Sequence, residues 1–211
     1  MLDPELIDLP SFLTNWYGPP TKTPKNPSST HSWLPEPLKR WHYLASLWDA
    51  RLTYTTVMIS LDEIESDEDG TATFMLDSTG DWKWCFDVAN PDTVFDAEEY
   101  ETWEKNSENL SQLLVHNTVR ETVFGASCRI RCTGASDQTL SEILDGLDEI
   151  GFPKWRWPAS GFRLFIGPET LVEVGESGSG SGWDVGAAAT DRANLSKFRG
   201  IADADWREPG R

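Results

Sequence analysis

The residues of this chain that could do chemistry are few, and their spacing argues against most of the reactions they could support. The three histidines, His31, His42 and His116, stand in separate segments. His31 falls in a proline-rich stretch, His42 on the polar shoulder of one predicted helix and His116 on another, so each reads as a surface or satisfied structural imidazole rather than a general base set against a nucleophile. The sequence holds no Gly-x-Ser-x-Gly elbow, no Walker-type loop and no His-Glu-x-x-His. Cys128-Arg-Ile-Arg-Cys132 puts two thiols four residues apart. That is the wrong spacing for a zinc knuckle, and the alternation reads as a strand with Cys128, Ile130 and Cys132 on one buried face. The run Asp62, Glu63, Glu65, Asp67, Glu68, Asp69, Gly70 has the oxygen density of a calcium site without the ligand order or closing glutamate of an EF-hand. Gly178-Ser-Gly-Ser-Gly182 matches a phosphate loop only in glycine content and precedes a predicted strand, so it reads as a flexible turn. No catalytic residue, metal or cofactor is expected.

The elements that would position these groups follow from periodicity. Phe12, Leu13 and Trp16 make one face of a short first helix that ends at Gly18-Pro19-Pro20, and Thr21 to Thr30 reads as a loop. A second helix opens at Pro35-Glu36-Pro37 and carries Leu38, Trp41, Leu44, Ala45 and Trp48 at helical spacing. Leu52 to Ile59, Thr71 to Leu76 and Asp81 to Val88 are rich in β-branched and aromatic residues and predict an antiparallel meander. Ser78-Thr79-Gly80-Asp81 supplies hairpin chemistry between the last two. Asn90 to Phe95 interrupts the pattern, and a helix is expected from a Ser107 cap to Phe124. After the Cys128 strand, Leu140, Ile143, Leu144, Leu147 and Ile150 predict a helix capped by Ser136 or Asp137 and stopped at Gly151. Strands follow at Phe162 to Ile166, Thr170 to Val174 and Trp183 to Ala189, then a short helix with Leu195 and Phe198.

Composition bounds the partners. The net charge of −17 disfavours nucleic-acid phosphate and anionic lipid. Most of it is concentrated: from Leu61 to Lys105, 15 acids stand against Lys83 and Lys105 alone. Such a stretch either keeps a surface solvated or receives a basic partner. Eleven tryptophans are expected to lie mostly in the core, with a remainder available for recognition. Met1 to Leu9 carries Asp3, Glu5 and Asp8 and no basic run, so a secretory leader is not expected. The odd count of 3 cysteines suits a reducing, cytoplasmic setting.

One constellation carries a family likeness. Leu34-Pro-Glu-Pro-Leu-Lys-Arg-Trp-His42, then Phe74 to Leu76, Gly80-Asp-Trp-Lys-Trp84, Asn90-Pro-Asp-Thr-Val94, Trp103 and Leu110 to Leu114 resemble the SUKH superfamily of bacterial toxin-immunity proteins over about Leu34 to Phe124. Gly-Asp-Trp and Asn-Pro-Asp-Thr-Val depart from the family's usual residues at the hairpin and the Pro-x-x-Val loop. The resemblance implies an α+β fold, a mainly antiparallel mixed sheet with helices on one side. The chain is expected to divide into residues 1–33 as an N-terminal helix and Pro-rich loop, 34–124 as the SUKH-like region and 125–211 as a second α+β region or a further part of the same domain. The resemblance also implies a protein that binds a toxin domain without cofactor or catalysis. The residues singled out for partner binding are Asp67, Glu68, Asp69, Asp92, Glu98, Glu99 and Glu101 of the acidic stretch, with Trp82, Trp84 and Trp103. A glycan- or small-ligand-binding module using exposed tryptophans is the alternative, and an enzyme with an unfamiliar site is a third.

Overall fold

A computed structural model describes residues 1–23, 31–157, 161–178 and 180–208. Residues 24–30 of the expected loop from Thr21 to Thr30 lie outside it. The chain divides into two compact units, one of Tyr17–Glu121 and one of Met1–Trp16 with Thr122–Arg211. The fold is α+β, with two antiparallel sheets of five strands each and five α-helices among the described residues.

α1 (Leu9–Tyr17) belongs almost wholly to the other unit, and in the Tyr17–Glu121 unit α2 (Glu36–Ala45) starts where Pro35 and Pro37 suit a first turn. Leu38, Trp41 and Leu44 form its buried stripe. The helix ends at Ala45, earlier than the periodicity predicts, and Trp48 is buried from the following loop, where its Nε1 donates to Gly18 O at 2.8 Å. The sheet runs β1 (Thr56–Met58), β2 (Thr71–Asp77), β3 (Trp82–Asp87), β4 (Val94–Glu98) and β5 (Glu104–Lys105) in sequence order, so the expected three-stranded meander is extended by β4 and β5.

Three of its strands differ from expectation, the two-residue β5 being one that the sequence did not indicate. β1 is three residues long, because the amides of Tyr54 and Thr55 are taken by a side chain of α3 (Leu110–Gly125) instead of by a strand. Val94 to Glu98 is a strand despite its acids, since Asp96 is held by Asn106 Nδ2 at 2.6 Å. The β2–β3 register shifts between Thr73 and Met75, and this bulge turns Phe74 and Met75, both fully buried, onto the same face. The α3 cap is Asn109, whose Oδ1 accepts from Gln112 N at 2.9 Å while Gln112 Oε1 accepts from Asn109 N at 3.1 Å; it is not Ser107.

The other unit is built on β6 (Cys128–Ala135), β7 (Asp148–Glu149), β8 (Arg163–Gly167), β9 (Thr170–Glu176) and β10 (Trp183–Ala189), in the spatial order β6-β10-β9-β8-β7. Between β6 and β7, α4 (Asp137–Leu144) is capped by Ser136 Oγ, which accepts from Thr139 N at 3.1 Å. It stops at Leu144, one to two turns short of the expected Gly151 end, because Gly146 takes φ +73° and reverses the chain. Leu147 and Ile150 therefore leave the helix, and Ile150 is buried beside β7. Leu140 and Ile143 of α4 pack with Ile130, Val172, Val185 and Phe198 in this unit's core, with Leu144 at its margin. Phe198 lies on α5 (Ser196–Arg199), the expected short terminal helix.

Candidate functional site

The acids of residues 62–104 divide by what their carboxylates do. Several build the turns. Asp69 Oδ1 accepts from Thr71 N at 3.0 Å and Thr71 Oγ1 at 2.8 Å, and these bonds draw its carboxyl below the usual aspartate range. Burial pushes Asp77 upward, but bonds from Thr79 Oγ1 at 2.6 Å and Trp82 N at 3.1 Å prevail and lower it while they close the β2–β3 hairpin. Asp87 Oδ1 accepts from Ala89 N at 2.8 Å, and Asp62 holds the buried His31 Nε2 at 2.7 Å. Glu99 faces Lys83 at 3.7 Å. The remaining predicted acids, Asp67, Glu68, Asp92, Glu98 and Glu101, are exposed, and among the described residues their side chains enter no ion pair. Glu98 is the last residue of β4, and the other four lie in the loops before β2, between β3 and β4 and between β4 and β5.

The tryptophans separate in the same way. Trp84 is 1 % exposed and packs in the core, so it offers a partner no surface and is withdrawn as a binding residue. β3 buries Trp84, Cys85 and Phe86 in succession, one face through large rings and the other through a small thiol under its neighbours. Trp82 and Trp103 are half-buried. The three indoles thus do not form an exposed row. Of the eleven in the chain, Trp41, Trp48, Trp84 and Trp155 are buried and Trp33 is exposed at 42 %, so fewer indoles are wholly inside than composition suggested. Their size leaves an edge at the surface.

One cluster was not legible in the sequence. α3 was expected to bury a single apolar stripe, yet every residue from His116 to Val123 is buried. Within the Tyr17–Glu121 unit, Glu121 accepts from the amides of Tyr54 and Thr55 and from the Thr55 hydroxyl, and Arg120 Nη1 reaches the same hydroxyl at 2.9 Å. Asn117 Nδ2 donates to Thr56 Oγ1 at 3.1 Å, Trp41 Nε1 to Thr118 Oγ1 at 2.9 Å, and His116 Nδ1 pairs with Glu108 Oε1 at 3.1 Å. His116 is thus a satisfied structural histidine, as its sequence context suggested. The available signal was charge scarcity: Arg120 and Glu121 are the only charged side chains among the 16 residues of α3, where an exposed helical face would carry more. Buried polar groups require partners, and here they tie the segment before β1 to the helix.

His42 lines a groove of about 350 Å3 with Trp41, Leu52, Thr56 and Val57. Burial, followed by the charge of His31, lowers it to about 4, so the ring is neutral near pH 7, and its Nε2 is buried without a hydrogen-bond partner among the described residues. Cys85 is pushed up to about 12, first by burial, and Cys132 is raised for the same reason. All three thiols are free; Cys132 is buried as expected, whereas Cys128 is half-buried. No group of three or more His, Cys, Asp or Glu side chains converges as a metal would require among the described residues. No helix among them is long and apolar enough to cross a membrane. The class these observations define is an α+β protein with turn-borne, unpaired surface carboxylates. No protein-family model, curated protein or solved structure matches the chain.

Proposed function

We propose that this chain is a non-catalytic, SUKH-type protein-binding module that acts where it is synthesised, neutralising a basic toxin domain by direct contact. The observation that carries the reading is the set of exposed carboxylates at strand ends and in loops of the Tyr17–Glu121 unit, without ion pairs among the described residues: Asp67, Glu68, Asp92, Glu98 and Glu101. A domain that attacks nucleic acid presents a positive site for phosphate, and acids held on strand-end loops can steer toward that site and cover it. The motif likeness at Leu34 to His42 and Gly80 to Val94 supports the family reading.

The test starts from a recovered partner. Charge reversal by Asp67→Lys with Glu68→Lys, and separately Glu98→Lys with Glu101→Lys, should lower the association rate without lowering the melting temperature. Raising salt from about 0.1 M to about 1 M, which shortens the Debye length from roughly 10 to 3 Å, should slow association far more than it changes dissociation. Asp69 and Glu99 are left intact, since both already serve the fold. Association unaffected by either pair would make the acids a solubility device only.

A further inference from the structure

We infer that the open face of the β1–β5 sheet, with the adjoining Tyr100 hairpin, is where a basic protein partner seats an apolar side chain. This rests on the reading above and assigns that partner its contact surface.

Strand register separates the two faces. Val57, Leu76, Lys83 and Ala97 are direct neighbours across four strands, as are Thr73, Cys85, Phe95 and Lys105. Trp84, Phe86, Phe74 and Met75 point the other way and are all buried to within 1 %. On the first face, Val57 is 45 % exposed and Leu76, Lys83 and Phe95 are half-buried; only the small Cys85 and Ala97 are hidden. One face of this sheet is thus core, and the other is an apolar strip open to solvent.

The strip's surroundings specify the occupant. At one end, Asp69 and Asp67 lie close enough to Cys85 to add to the upward push on its thiol. At the other, the Lys83 to Glu99 pair at 3.7 Å joins the strip to the hairpin Glu98-Glu99-Tyr100-Glu101. Tyr100 tops that hairpin at 95 % exposure and φ +70°, a backbone conformation unfavourable for a tyrosine. An exposed ring flanked by carboxylates suits an arginine or lysine, which can lie on the ring face and pair with the acids. A second copy of the chain is disfavoured, because it would bring a net charge of −17 against its like. The complementary surface is therefore one or more aliphatic side chains ringed by arginine or lysine.

The test uses the full chain and three labelled probes: a short peptide alternating arginine and leucine, an oligoarginine of equal charge, and a peptide alternating glutamate and leucine. Binding is read by fluorescence anisotropy and mapped by amide chemical shifts. The arginine–leucine peptide should bind at least about tenfold more tightly than either control. Shifts should concentrate at Val57, Leu76, Phe95 and Tyr100, and Val57→Ser with Tyr100→Ser should remove most of that preference at unchanged melting temperature. Both substituted residues are exposed, so the variant is expected to fold. Equal affinity for oligoarginine and the mixed peptide overturns the face assignment while leaving the acidic reading standing. Failure of both cationic peptides to bind counts against both readings. Self-association through this strip by sedimentation replaces the basic partner with a second copy.

Discussion

His42 is the side chain whose protonation the fold most clearly controls. Its pKa falls from 6.5 to about 4 on folding, so the unfolded chain takes up the proton more readily than the folded one. The stability this ring contributes is present above about pH 6.5, is lost as pH falls from there toward 4, and levels off once the folded state is protonated too. A shift of this size corresponds to at most about 3 kcal/mol. Chemical denaturation between those pH values should show the loss, and His42→Asn should flatten it. A variant with an unchanged slope would assign the acid sensitivity to other groups.

The β9–β10 turn shows how an element can demand what its sequence only suggested. Gly178 to Gly182 was expected to be a flexible turn, yet Gly182 is constrained. It takes φ +78°, and a Cβ there would stand 2.7 Å from Ala135 O and 2.9 Å from Gly134 O, both backbone atoms that cannot swing aside. Gly178, in the same turn, has nothing within 4 Å of its Cβ position. Gly182→Ala should therefore destabilise by roughly 1–3 kcal/mol, combining αL strain with the clash. Gly178→Ala should change stability by no more than about 0.5 kcal/mol. Thermal melts of the two variants read this contrast, and equal effects would show that the tract accommodates either residue.

Charge acts on the molecule as a whole. With 15 acids against two lysines between Leu61 and Lys105, the folded state crowds like charges that the unfolded chain would spread apart. The turn-building carboxylates recover part of that cost through hydrogen bonds, but the five unpaired ones do not. Added sodium chloride should consequently raise the melting temperature over the range where the Debye length falls from roughly 30 to 10 Å, about 0.01 to 0.1 M. Asp67→Lys with Glu68→Lys should shrink that salt response. A melting temperature independent of salt would mean that the acids are too far apart to repel.

What the sequence determined by itself was the class and the local patterning: α+β, the strand meander after α2, the Ser136 cap of α4, the alternation of β6 and the location of the acids. These follow from local periodicity and capping chemistry, which need only neighbours along the chain. Tertiary structure alone decided where elements ended and which side chains were spent on the fold. Glu121 reaches back more than sixty residues to the amides that would have extended β1. A one-residue bulge sends Phe74 and Met75 to the same face. Asp69 closes a turn while its neighbour Glu68 stays free, and Trp84 is core while Tyr100 is not. Residue type is the same within each kind of pair or nearly so; the difference lies in long-range hydrogen bonds and strand register, which bring together groups that spacing along the chain does not relate.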